Sequence, residues 1–320
     1  LKERLAHMKG LGIDSSAPAI RRALAAAWLI LPMHASAGND VQQQSEWCKR
    51  LIPRLPGITL TECVSASLLP SGGHSLQKFP ILARHIPAQK KSNDKPPVRI
   101  MLLGGIHGDE LTAAAIVFKW MQFMPRPIAQ QFEWQIVPVV NPDGLLAPKP
   151  KRVNANGVDL NRNFPTPNWH REAPHYWASK TRSDPRRFPG KAPLSEPESL
   201  WLNNEMERFK PHLIISVHAP FGVLDFDGPT SPPDRFGRLV LNRVGIYPGS
   251  LGNYGGLHKN TPVITIELPN AQSMPANAEV QRIWQDMLTW IYNNVSPEYF
   301  QPTSGKQTVN YSSGPAPEKK

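Results

Sequence analysis

The chain has 320 residues, 40% hydrophobic and 19% charged, a composition that describes a folded globular protein and excludes a disordered one. Its net charge of +11 falls to +8 once residues 1–37 are set aside, because 31 basic and 23 acidic residues then remain. That balance favours an anionic substrate or surface, but nucleic acid is not expected, since no basic helix, Gly-rich phosphate loop or aromatic-basic motif is present.

The first feature in chain order is "IRRALAAAWLILPMHASAGND" (20–40). Arg21 and Arg22 form a positive region, an apolar run follows, and Ala35-Ser36-Ala37 offers small residues at the positions a signal peptidase reads. The apolar run falls short of the roughly 20 residues of a stable membrane anchor. Residues 1–37 therefore read as an export signal with Met8 as a candidate start, and the mature chain as periplasmic or secreted. Export suits Cys48 and Cys63, fifteen positions apart, which an oxidising compartment would join.

Residues 40–55 read as a helix with Trp47, Leu51 and Ile52 on one side, and 58–86 as short strands around a "PSGGHS" turn. A polar turn at 87–97 precedes a change of pattern. From there, apolar runs at 99–103, 134–140, 213–217 and 263–268 read as strands, with a helix over 111–124 between the first two. Residues 164–197 read as a proline-rich loop and 301–320 as a polar tail. Strands separated by helices predict an α/β fold, a mixed, mostly parallel twisted sheet flanked by helices, forming one catalytic domain over 38–300.

Ligands of such sheets gather beyond the carboxyl ends of the strands. Here those ends read "GGIHGDE", "IISVHAP" and "VITIELP", delivering His107 with Glu110, then His218, then Glu267. Two imidazoles and one carboxylate suit Zn2+ and leave a coordination position for water, whose pKa the metal brings near neutrality. Glu267 is then the candidate general base. Asp109 reads as a solvated charge at a helix start, and His170, His175 and His258 as surface or loop residues. In "NPDGLLAPKPKRVNANGVDLNRNFP" (141–165), Arg152 and Arg162 can fork onto carboxylate or carbonyl oxygens and Asn161 adds an amide donor.

The HxxE pair, "NPDG", "RVNANGVDLNRNF", "SVH" and "TIEL", in that order, resemble the zinc carboxypeptidases of peptidase family M14. "SGGHSLQKFPIL" and "GSLGNYGG" resemble the bacterial murein peptide amidase branch, whose substrate is the γ-D-glutamyl–meso-diaminopimelate bond of a peptidoglycan stem. The resemblance implies one zinc on His107, Glu110 and His218, with Glu267 as base. It implies Arg152 on the scissile carbonyl, and Asn161 and Arg162 on the substrate's terminal carboxylate. Asp159 would orient His107, and Tyr247, or Tyr254 in its place, would contact substrate. Asp225 or Asp227 is a possible partner for the distal amine of diaminopimelate. Enzymes of that branch recycle fragments in the cytoplasm, whereas the signal here points to trimming of the wall or of released muropeptides. A general carboxypeptidase, a small-molecule deacylase and a non-catalytic wall-binding module are the alternatives. The sequence implies a peptide or muropeptide partner and leaves the oligomeric state open.

Overall fold

A computed structural model describes residues 35–89 and 96–295. Most of the export-signal segment and the 301–320 tail lie outside the described residues. The cleavage-site residues 35–37 fall at the start of the first helix.

Seven helices and nine strands follow one another along the described chain: α1 (Ala35–Leu51), α2 (Leu60–Ser65), β1 (Leu69–His74), β2 (Pro80–Ile86), β3 (Arg99–Leu103), α3 (Leu111–Met121), β4 (Glu133–Val137), α4 (Pro142–Leu146), α5 (Trp169–Lys180), α6 (Pro197–Phe209), β5 (Leu213–His218), β6 (Val223–Asp227), β7 (Arg235–Phe236), β8 (Leu239–Leu241), β9 (Val263–Glu267) and α7 (Asn277–Asn294). The strands form one sheet in the order β1-β2-β4-β3-β5-β9-β6-β8-β7. Its centre, β4-β3-β5-β9, is parallel, and antiparallel pairings flank it through β2 and β6. The parallel strands are buried on both faces, which is why "RIMLL" and "LIISVH" read as continuous apolar runs.

The two faces are covered differently. On one, α3 and α7 stack, and nearly all of α3 is buried. In α7 the apolar residues Val280, Ile283, Trp284, Met287, Leu288 and Ile291 recur at helical spacing, and Trp284 packs 5.6 Å from Trp134 and 5.8 Å from Trp120. On the other face, Ile214, Val263, Tyr254 and Trp201 make a second, smaller core. Among the described residues no helix is long and apolar enough to cross a membrane.

Several sequence-based expectations are corrected by the structure. The expected strands after residue 58 begin instead with a helix, α2, started by a capping box in which Thr59 and Glu62 bond each other's backbone N–H. The "PSGGHS" stretch is not a turn. It lies in β1, an edge strand whose register shifts between Pro70 and His74, where proline and glycine are tolerated. The 164–197 segment holds a helix, α5, with Pro174 inside it. The helix expected over 40–55 leaves the α conformation at Leu51, and Pro53 lies in a 3-10 turn after it. The second central strand ends at Val137, three residues early.

Cys48 and Cys63 are joined, tying α1 to α2 across a sequence separation of 15. Closing a loop of this size is worth about 3 kcal/mol in the chain-entropy model. Cys48→Ser should therefore lower the urea midpoint of unfolding, and an unchanged midpoint would show that the bond contributes nothing to the fold.

Candidate metal and catalytic site

The site is assembled at the carboxyl ends of β3, β5 and β9. After β3 the chain turns at Gly105, whose φ of +56° lies in the left-handed region. Gly108 follows, and a Cβ there would meet the Gly144 carbonyl carbon at 2.2 Å. The "HGDE" turn is therefore pressed against the "NPDG" turn, and only glycine permits that approach. His107 and Glu110 come out of this clamp three residues apart and fully packed, at 2% and 7% exposure.

Across from them, parallel pairing aligns His218 with Glu267. His218 Nδ1 stands 3.1 Å from His107 Nδ1 and 3.1 Å from Glu110 Oε2, and His107 Nδ1 stands 2.8 Å from Glu110 Oε1. Tetrahedral zinc with bonds of about 2.0–2.1 Å separates its ligand atoms by about 3.3 Å, so the spacing suits one ion. The outward nitrogens are also engaged: His107 Nε2 faces Asp159 Oδ1 at 3.1 Å and His218 Nε2 faces Ser216 Oγ at 3.0 Å. Such partners fix the ring orientation and leave the Nδ1 lone pairs for a cation. Among the described residues these three form a buried group suited to holding a metal ion.

Electrostatics agree with that use. Burial opposes ionisation of Glu110, yet His107 and His218 hold its carboxyl well below the usual range. Asp159 is likewise held low against its burial, by Arg152 and His107. Burial pushes the His218 imidazole down, towards the neutral form that ligates metals. For His107 burial acts the same way, but the Glu110 and Asp159 carboxylates outweigh it and raise the ring.

Glu267 is the odd carboxylate. Burial first, and then the Glu110 charge, push it up to about 8, and its Oε2 is buried without a hydrogen-bond partner. Such an orphaned atom beside a metal-ligand group is positioned to meet a water or a substrate atom.

Arg152 reaches the same centre. Its Nε donates to Asp159 Oδ2 at 2.9 Å, and its Nη1 lies 3.2 Å from His107 Nδ1. Asn161 and Arg162 lie farther along the segment. Asn161 Oδ1 accepts from the Leu251 N–H, which turns the amide NH2 away from Leu251. The Arg162 guanidinium lies 4.3 Å from the centre of the Tyr247 ring, whose hydroxyl donates to the Val244 carbonyl. Tyr254, the alternative tyrosine, is a core residue: it stacks on Phe164 and its hydroxyl donates to Asn203.

Asp109 is not the free solvated charge expected from sequence, because Arg186 Nη1 pairs with its Oδ2 at 2.8 Å. His170, His175 and His258 are exposed, as expected. Sequence reading did not single out Ser216, although residues two apart on a strand share a face and "SVH" carries that signal. It also did not find the Ala219 N–H that donates to Glu110 Oε2, which no side-chain pattern can reveal.

Two imidazoles and a carboxylate beside an unpartnered buried glutamate, at the strand ends of an α/β sheet, define a mononuclear metallohydrolase. A family model described as zinc carboxypeptidase matches residues 60–225, and the chain belongs to that family; it is a zinc metallopeptidase. Murein peptide amidase A of Vibrio campbellii is 31% identical over 227 residues, covering 68% of this chain and 84% of that protein. The Escherichia coli protein of the same name is 29% identical over 225 residues, covering 68% of this chain and 88% of its own length. In fold, bovine thrombin-activatable fibrinolysis inhibitor superposes with a TM-score of 0.54 at 18% identity, over 79% of this chain and 94% of that one.

Proposed function

We propose that this protein is an exported zinc carboxypeptidase that trims peptidoglycan stem peptides at the bond between γ-D-glutamate and a terminal meso-diaminopimelate. The likeness to two murein peptide amidases supports the substrate class. The observation that carries the finer reading is the meeting of opposite charges around Leu251 and Gly252. Leu251 holds Asn161, next to the cationic Arg162, while the Asp227 carboxylate packs against Gly252. A terminal residue bearing both a carboxylate and a distal ammonium satisfies both ends.

Register supports this pocket. Val223, Asp225 and Asp227 pair with Glu267, Thr265 and Val263, so both aspartates share the sheet face of the general base. Asp225 is anchored by the backbone N–H groups of Phe226, Val244 and Gly245, although burial raises its carboxyl. Burial, and then the Asp225 charge, push Asp227 up to about 7. A substrate ammonium between them relieves that repulsion.

Zinc on His107, Glu110 and His218 would supply a polarised carbonyl and a water of near-neutral pKa. Glu267 Oε2 takes the proton of the attacking water and delivers it to the leaving amine. Arg152 stabilises the charge developing on the carbonyl oxygen. Asn161 and Arg162 hold the terminal carboxylate, with Tyr247 covering the Arg162 guanidinium. The Cys48–Cys63 bond supports an oxidising compartment, periplasmic or extracellular, reached through the signal at 1–37, with one catalytic unit over 38–300.

Incubation with L-Ala-γ-D-Glu-meso-diaminopimelate, read by mass spectrometry, tests the reading. Free diaminopimelate is the expected product. Release only from ordinary α-linked peptides assigns a general carboxypeptidase instead, and no turnover of any peptide leaves a binding module. A finer test addresses the aspartates: Asp227→Asn should raise KM for the diaminopimelate substrate roughly tenfold, the scale of a lost charged hydrogen bond. A terminal residue without an amine should be cleaved as before, and equal effects on both substrates would remove Asp227 from amine recognition.

A further inference from the structure

Arg152 turns towards Glu110 and His107, whereas its neighbours Lys151 and Val153 line a separate cavity of about 350 Å³. Lys151, Lys78 and Arg50 bring three positive charges to this cavity from three different parts of the chain. Among the described residues none of the three has a carboxylate partner. Arg50 lies against an aromatic face, its guanidinium 4.5 Å from the centre of the Phe79 ring. The single acidic side chain in the lining, Asp143, is tied to the wall, Oδ1 accepting from Ser75 Oγ at 2.6 Å and Oδ2 from the Gln77 N–H at 2.9 Å, so three positive charges face one negative charge.

The walls are held in place independently of any ligand. Arg50 sits in the last turn of α1, two residues after Cys48, so the disulfide to α2 fixes the helix end that carries it. From the following turn, Arg54 donates to the carbonyls of Ala147 and Pro148 at 3.1 and 3.2 Å, which ties that part of the lining to the same end of the chain. Arg50, Lys78 and Lys151 are exposed, so solvent screens their mutual repulsion, but together they place an excess of positive charge around one concavity. An anion entering the cavity meets that excess.

We propose that this cavity is a binding site for a small oxyanion, carrying carboxylate or phosphate groups, distinct from the metal centre. Lys151 and Arg152 are consecutive, so an anion gripped by Lys151 restrains the backbone from which Arg152 reaches Glu110. Occupancy is therefore felt at the metal site without contact with it.

The test is calorimetric titration of the zinc-loaded protein with inorganic phosphate and, separately, with citrate at constant ionic strength. Saturable binding of at least one is expected, and the preferred anion distinguishes phosphate from carboxylate chemistry. The Lys78→Gln/Lys151→Gln double variant should bind at least tenfold more weakly while keeping its zinc content. Arg50→Gln, on a different element, should weaken binding in the same direction and guards against a local folding defect in the double variant. Absence of saturable binding to both anions overturns the proposal. So does binding that is unchanged in these variants, because the anion then sits at the metal or elsewhere.

Discussion

Glu267→Ala is expected to retain zinc and to lose roughly 10²–10⁴-fold in kcat, the range for removing a positioned general base. The expectation rests on where the residue sits. Strand register puts Glu267 beside His218, yet its carboxylate is not among the three groups placed to hold an ion. It is buried, its Oε2 has no partner, and it is raised to about 8, first by burial and then by Glu110. Once a dication engages the Glu110 charge, that repulsion weakens and Glu267 ionises more readily, which a base needs. Glu267→Gln is the matching control, since it keeps the volume and removes only the proton acceptor. Metal content by mass spectrometry and kcat on the tripeptide are the two measurements. A variant turning over at near-wild-type rate would take Glu267 out of the reaction.

His218→Ala should have the opposite profile and lose the metal itself. Deleting it leaves Glu110 and His107 as a two-ligand site with a buried carboxylate short of one partner. A useful reference is Ser216→Ala, which removes only the hydrogen-bond partner of His218 Nε2. Losses of that supporting kind cost roughly 10–100-fold in metal affinity. The His218 variant is expected to exceed the Ser216 variant clearly in chelator competition. Equal affinities, or zinc binding by His218→Ala as tight as wild type, would overturn the ligand assignment.

The parts of the site readable in the sequence were those written in local spacing. His107 and Glu110 lie three apart at a strand end, and His218 and Glu267 terminate apolar runs of strand length. Burial on both faces made those central strands legible. The flanks were harder, because β7 and β8 have only two and three residues and β6, with its two aspartates, is only partly buried, so their apolar pattern is weak. β1 was hidden by its own proline and glycines, and α5 by the prolines on either side of it and within it. Partnerships across long separations were also hidden. The choice between Tyr247 and Tyr254 depended on which ring faces Arg162 and which fills the core, and the pairing of Asp109 with Arg186 spans 77 positions. Nothing in local pattern encodes such meetings.

Asp159 is wholly buried and divides its two oxygens, one facing the His107 ring and the other receiving Arg152. The grip on the ion and the aim of the guanidinium thus share a single anchor, and neither can be retuned alone. A substitution at this position is therefore expected to disturb the setting of the His107 ring and of the Arg152 guanidinium together.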